Sequence, residues 1–280
     1  MFSSLGRSIA LIKTSWSVLN KDKEILLFPI LSAIVSIIVV VSFIIPVFII
    51  KSSFSDITDN EVVMYGGLFI FYLITYFIVI FFNTGLVTCA SIRMNGGDPT
   101  FSDGISSAIR HLPKIVLWSL ISATIGVILS VIRDQQNIVG QILSSILGVA
   151  WTLLTFFVVP VMILEEKGVI DSIKESAALF RRTWGETVVG QGGITLVFGL
   201  LALVGLIPVV MVIFLASGTL MIAVIGLYLL FVVILAVIGS ALQGIFNTAL
   251  YHYAKTGSIP AAFNEDLIKN AFVPGKKGNI

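Results

Sequence analysis

The sequence predicts an all-α, polytopic membrane protein: six transmembrane helices, interfacial amphipathic helices on the cytoplasmic side, and both termini on that side. Three observations predict it. Hydrophobic residues make up 57% of the 280 and charged residues only 11%, where soluble domains carry about 25% charged. The apolar residues fall in runs of the roughly 20 needed to cross about 30 Å of hydrocarbon as a helix. No charge lies inside these runs, and nearly all the Lys and Arg residues fall in alternate segments between them.

The elements follow in chain order as a single integral membrane domain, 1–280. In segment 2–20, Phe2, Leu5, Ile9, Ile12, Trp16 and Leu19 recur every three or four residues, with Arg7, Ser8, Lys13 and Ser15 between them. That is an amphipathic helix suited to the headgroup layer. Spans are expected at about 25–50 and 62–92. A weaker interfacial helix, 101–112, carries Phe101, Ile105, Ala108 and Leu112. Spans at about 112–132 and 138–164 come next. A third interfacial helix, 169–184, carries Ile173, Ala177, Phe180 and Trp184. The last spans are about 187–216 and 219–253. A fourth interfacial helix, 260–272, begins at Pro260, a residue suited to a first helical turn. Pro46, Pro160 and Pro208 lie inside spans one, four and five. Each removes a backbone hydrogen bond and predicts a kink.

Charge gives the orientation. Arg7, Lys13, Lys21 and Lys23 precede the first span. Arg93, Arg110 and Lys114 flank or fill the second loop, and Lys167, Lys174, Arg181 and Arg182 the fourth. Lys255, Lys269, Lys276 and Lys277 follow the last span. The opposite loops hold only Lys51 and Arg133. The positive-inside rule puts the basic-rich segments in the cytoplasm.

The cytoplasmic segments also resemble one another. Ile9-Ala10-Leu11 stands seven residues before Trp16, and Ala177-Ala178-Leu179 seven before Trp184. Spans two and six end alike, in Phe82-Asn83-Thr84-Gly85-Leu86 and Phe246-Asn247-Thr248-Ala249-Leu250. Each is followed by a Gly- and Pro-bearing turn. The unit is a descending span, a turn, an interfacial helix and an ascending span. Its copies run parallel, unlike the inverted repeats of many transporters.

The segment from Pro160 through Glu165, Glu166, Lys167 and Gly168 to Ser176, with Leu179 and Trp184 beyond it, carries a resemblance. It is similar to the membrane domain sometimes joined to glycerophosphodiester phosphodiesterases. The full length most resembles an uncharacterised six-span prokaryotic integral membrane protein family. The resemblance implies a prokaryotic plasma (inner) membrane. It implies no phosphodiesterase activity, because no catalytic domain accompanies the motif.

Lipid tails are as apolar as Leu, so close backbone approach and interhelical hydrogen bonds hold such spans together. Gly140, Ser144, Gly148 and Thr152 form a small-residue ladder on span four. Ser240 and Gly244 continue one on span six, and Ser122, Gly126 and Ser130 lie on span three. These read as packing within the chain, the alternative being a homo-oligomer contact. The polar residues Asn83, Gln191, Gln243 and Asn247 read as interhelical hydrogen-bonding groups, with the lining of a substrate path as the alternative.

Chemistry is sparse. A charge at mid-membrane costs about 2.5–3.5 kcal/mol on insertion scales and persists mainly where function needs it. The spans hold none away from their ends, which counts against coupling through an intramembrane carboxylate. His111 and His252 are the only imidazoles and Cys89 the only thiol; a metal site usually takes three or four protein ligands, and the sequence holds no Cys/His cluster. His111 near Asp103 is the one sketch of a His-based centre; the plainer reading is a headgroup-level polar residue. Cys89 reads as a small packing residue, Glu165-Glu166 as a solvated loop start, and Gly190-Gln191-Gly192-Gly193 as close packing opening span five. No catalytic residue, metal or cofactor is expected, and no nucleic acid.

The best-motivated set is Trp16, Arg181, Arg182 and Trp184, because Trp prefers the membrane interface and Arg contacts phosphate headgroups. The expected function is a non-enzymatic membrane protein whose cytoplasmic face contacts anionic lipid and a possible protein partner. The alternative is a transporter or channel for a small uncharged or amphipathic molecule.

Overall fold

The computed structural model describes residues 2–49, 61–134, 138–215 and 218–257, all helix and short connection with no strand among them. The expected interfacial helix at 260–272 lies outside the described residues. Helix α1 covers Phe2–Lys21, followed by a 3-10 turn at Lys23–Leu26, α2 at Leu27–Ile49 and α3 at Glu61–Met94. Then come α4, Phe101–Arg110; α5, Leu112–Asp134; α6, Ile138–Leu154; α7, Val158–Leu164; α8, Val169–Leu215; and α9, Thr219–Thr256. Six stretches are long and apolar enough to cross a membrane: Lys23–Ile45, Val62–Met94, Leu112–Asp134, Ile138–Leu164, Gly192–Val212 and Thr219–Thr256. Their surfaces carry exposed Val, Leu and Ile residues, with Val62 80% and Ile138 75% exposed. Water would tolerate no such area, whereas lipid solvates it.

The described residues form two compact units. One draws on Ile30–Thr88 and Phe101–Arg182, the other on Met1–Pro29, Cys89–Thr100 and Thr183–Ile280.

In the first unit, α6 packs on α5. The ladder on α6 makes that contact. Gly140 and Ser144 are buried, the Ser144 hydroxyl donates to the Leu129 carbonyl at 2.9 Å, and Gly148 faces the Leu129 side chain. On α5, Gly126 sits so close to the Tyr72 ring that a Cβ there would lie 3.0 Å from it. One turn on, Ser130 Oγ and the Tyr72 hydroxyl are 3.0 Å apart. The core of this unit is Ile80, Val87, Ile115, Trp118, Val158 and Met162, with Trp118 and Trp151 stacked at 5.7 Å.

The fourth span is two helices, and the break is not at Pro160 itself. The proline ring clashes with the carbonyl four residues back and carries no N–H to donate, so it is accommodated in a first helical turn. The chain accordingly breaks at Thr155–Phe157, and Pro160 becomes the third residue of α7. The break frees backbone groups that Ser176 recovers. Its hydroxyl accepts from the Phe157 N–H at 2.9 Å and donates to the Leu154 carbonyl at 2.7 Å. Ser176 and Phe157 are both fully buried. At Pro208 the helix continues, and α8 departs from helical geometry only at Thr183 (φ −118°, ψ 19°). The expected division between an interfacial helix and span five therefore falls at Thr183, leaving arms 169–182 and 184–215. Helix α2 also continues past Pro46 to Ile49.

In the second unit, α1 packs on α9. Its buried side is Thr14, Ser15, Val18 and Leu19, while Trp16 is 42% exposed. Of the apolar face read from sequence, Leu19 is buried and Trp16 is not, while Ser15, read as part of the polar side, is buried. On α9, Gly239 meets the Phe198 ring, with 3.5 Å left for a Cβ. Gly244 is buried, but Ser240 is exposed. The packed face runs through Gly239 instead of the Ser240 position in the ladder, because neighbouring helix positions point about 100° apart. Gly192 has open space where a Cβ would stand, so the glycine run opening span five makes no close contact there.

The two matching span ends, one in each unit, have matching surroundings. Thr84 and Thr248 are fully buried, and Asn83 and Asn247 half-buried. Each helix stops on a left-handed glycine. The Gly97 N–H bonds the Ile92 carbonyl and the Gly96 N–H that of Arg93, a Schellman cap with Gly96 at φ 84°. Gly257, at φ 68°, bonds the Tyr253 carbonyl.

Candidate functional site

Polar side chains gather where the helices of each unit end. In the first unit α4 ends at Arg110 and α5 begins at Leu112, leaving His111 in the turn between them. The loop after α7 brings Glu166 to it. His111 is 2% exposed; its Nδ1 lies 2.7 Å from the Ser107 carbonyl and its Nε2 2.8 Å from Glu166 Oε2. Both ring nitrogens are therefore engaged within the protein. Lys114 Nζ reaches the same carboxylate at 3.2 Å and Arg110 at 3.3 Å. The hydrogen bond from His111, helped by Lys114, holds the Glu166 carboxyl below the ordinary carboxylate range, against partial desolvation. Glu166 is thus the centre of an ion cluster and not the purely solvated residue expected from sequence, although its side chain remains 57% exposed.

Glu166 is also the one described non-glycine residue with positive φ, at 54°. That conformation costs an L-residue roughly 1–2 kcal/mol, so Arg110, His111 and Lys114 hold a strained turn. Beyond it, Lys167 pairs with Glu165 at 2.9 Å and Glu175 at 3.5 Å, and Lys174 with Asp171 at 3.5 Å. The carboxylate that reaches His111 is that of Glu166, 55 residues away in the chain.

The second unit has its own knot. Arg93, near the end of α3, donates through Nε and Nη2 to both oxygens of Asp22, which is buried just after α1. The same Nη2 reaches Asp98 beyond the glycine cap. This fork satisfies the buried carboxylate with two charge-assisted bonds. Next to it, Ser91 Oγ and His252 Nε2 are 3.0 Å apart. Cys89 is buried and bonds the Thr100 carbonyl at 3.4 Å, in keeping with a packing role.

Among the residues singled out from sequence, Arg181 and Arg182 are exposed at the end of the 169–182 arm. The side chains of Trp184 and Gln191 lie outside the described residues. Gln243 is half-buried on α9. Two cavities, of about 680 Å³ in the first unit and about 420 Å³ in the second, are lined by residues other than Asn83, Gln191, Gln243 and Asn247. Among the described residues, no group of three His, Cys, Asp or Glu side chains is placed to hold a metal ion. Sequence reasoning missed both ion clusters and the Ser176 bridge, since each joins residues far apart in the chain.

No curated protein matches the chain. Residues 62–261, from the second span to just past the sixth, match a family of unknown function, DUF6159, and the chain belongs to that family.

Proposed function

We propose that this is a non-enzymatic protein of the prokaryotic plasma membrane, with both termini cytoplasmic, that holds anionic lipid headgroups at the cytoplasmic ends of its helices. One observation carries the reading: which cations the chain's own carboxylates leave over. Arg93, Arg110, Lys114, Lys167 and Lys174 are each paired with Asp or Glu. Arg181 and Arg182 in one unit, and Lys13, Lys21 and Lys23 in the other, are exposed with no such pair among the described residues. Exposed Trp16 stands among those lysines. A paired cation is largely neutralised, whereas an unpaired one near an anionic surface contributes about 1 kcal/mol. Trp at the same level supplies an interfacial anchor.

The test is the double variant Arg181→Glu, Arg182→Glu in nanodiscs mixing phosphatidylglycerol with phosphatidylcholine. Losing two attractive charges of about 1 kcal/mol each, and putting two repulsive ones in their place, predicts a loss of at least about 30-fold in preference for the anionic lipid. Lipid co-purification read by native mass spectrometry measures it. An unchanged preference would overturn the reading.

A further inference from the structure

The cavity of about 680 Å³ in the first unit lies between α2, α3 and α5 and has two characters. Its walls are apolar, with Phe43, Leu68 and Phe71 among them, and Phe43 and Phe71 meet edge to face at 5.2 Å. Its rim, at the start of α3 and the end of α5, carries Tyr65, Arg133 and Asp134. Its size is in the range of about 300–1,000 Å³ typical of small-molecule sites. Gly67, on the wall, has nothing within 4 Å of where a Cβ would stand.

We propose that this cavity is a phospholipid site that reads a zwitterionic headgroup bearing phosphate and a primary ammonium, the phosphatidylethanolamine type. Charge complementarity at the rim carries the choice. Arg133 is exposed, lines the cavity and has no carboxylate partner among the described residues. Asp134 is its neighbour in sequence, but adjacent helix residues do not face each other and the two do not pair. The Tyr65 hydroxyl donates to one Asp134 oxygen at 3.4 Å, which turns the carboxylate toward the rim.

An opposite pair of charges held side by side but apart matches a ligand that carries both. The guanidinium takes the phosphate, and the carboxylate accepts N–H bonds from the ammonium. An anionic headgroup would meet Asp134 unrelieved, and a quaternary ammonium has no N–H to give. Depth agrees with this assignment. The charged pair closes a span, at headgroup level, while the aromatic wall lies one to two turns further in, where an acyl chain belongs. The inference does not rest on the proposed function, which concerns other residues at the other ends of the helices.

The full chain is reconstituted in nanodiscs of equal phosphatidylethanolamine, phosphatidylglycerol and phosphatidylcholine, then stripped with mild detergent, and retained lipid is counted by native mass spectrometry. The expected result is retention of phosphatidylethanolamine about tenfold above the other two. Arg133→Gln and Asp134→Asn each abolish that preference. Gly67→Leu fills the empty wall and displaces the lipid without lowering the thermal midpoint, because Leu suits a helix better than Gly. Equal retention of the three lipids, preference for phosphatidylglycerol, or full retention by Gly67→Leu would mean annular lipid only and would overturn the proposal. The two exposed charge variants keep the test decisive even if Gly67→Leu fails to fold.

Discussion

Ser176 illustrates how much one hydroxyl can hold. Pro160 forces a break upstream of itself, and the break leaves a buried N–H at Phe157 and a carbonyl at Leu154 that Ser176 bonds at once. An unsatisfied buried polar group costs about 1–3 kcal/mol, and Phe157 and Ser176 are fully buried. Ser176→Ala should therefore lose roughly 2–4 kcal/mol of stability, by the same per-group cost, read as a lowered unfolding midpoint in micelles. An unaltered midpoint would mean the break satisfies itself another way. The motif from Pro160 to Ser176 was legible as a sequence pattern. Its reason was not, because the pattern gives neither the register of the break nor which way the serine points. His111 is similar: sequence offered Asp103 as its companion from proximity in the chain, while the folded loop supplies Glu166.

At the scale of elements, small residues decide where helices touch. Gly126 has the Tyr72 ring against it, whereas Gly199 on the 184–215 arm has nothing within 4 Å. In a helix interior, Ala is favoured over Gly by about 1 kcal/mol when nothing obstructs it. Gly199→Ala should thus raise stability by up to about that amount, and Gly126→Ala should lower it by about 1–3 kcal/mol by displacing Tyr72 and its contact with Ser130. Thermal unfolding of both variants in one detergent checks the contrast; equal shifts of the same sign would refute it. The ladder Gly140, Ser144, Gly148 was readable because a four-residue repeat stays on one helix face. Its counterpart on α9 was misread by one position at Ser240, since several small residues cluster there and only the position of Phe198 selects Gly239.

At the scale of the molecule, the six apolar stretches give the solvent, and the distribution of basic residues gives the proposed orientation. Cys89 is the only cysteine and is buried, so introduced cysteines can be labelled with little background. Under that orientation, Arg133→Cys should react with a membrane-impermeant maleimide in intact cells, and Lys174→Cys only after the membrane is opened. The reverse pattern would refute cytoplasmic termini.

By itself the sequence determined the helical class, the number of spans and their approximate ends. Those properties depend on run length, local period and the desolvation cost of charge, and each is complete within some twenty residues. Only the tertiary structure decided which charges are consumed and which stay free. Arg93 finds Asp22 across 71 residues and His111 finds Glu166 across 55, whereas Arg133, Arg181 and Arg182 find no carboxylate among the described residues. Pairing is a matter of distance in space, and electrostatic interaction falls away over a few ångströms in polar surroundings. No local pattern can therefore tell a cation that staples the fold from one left to meet a lipid.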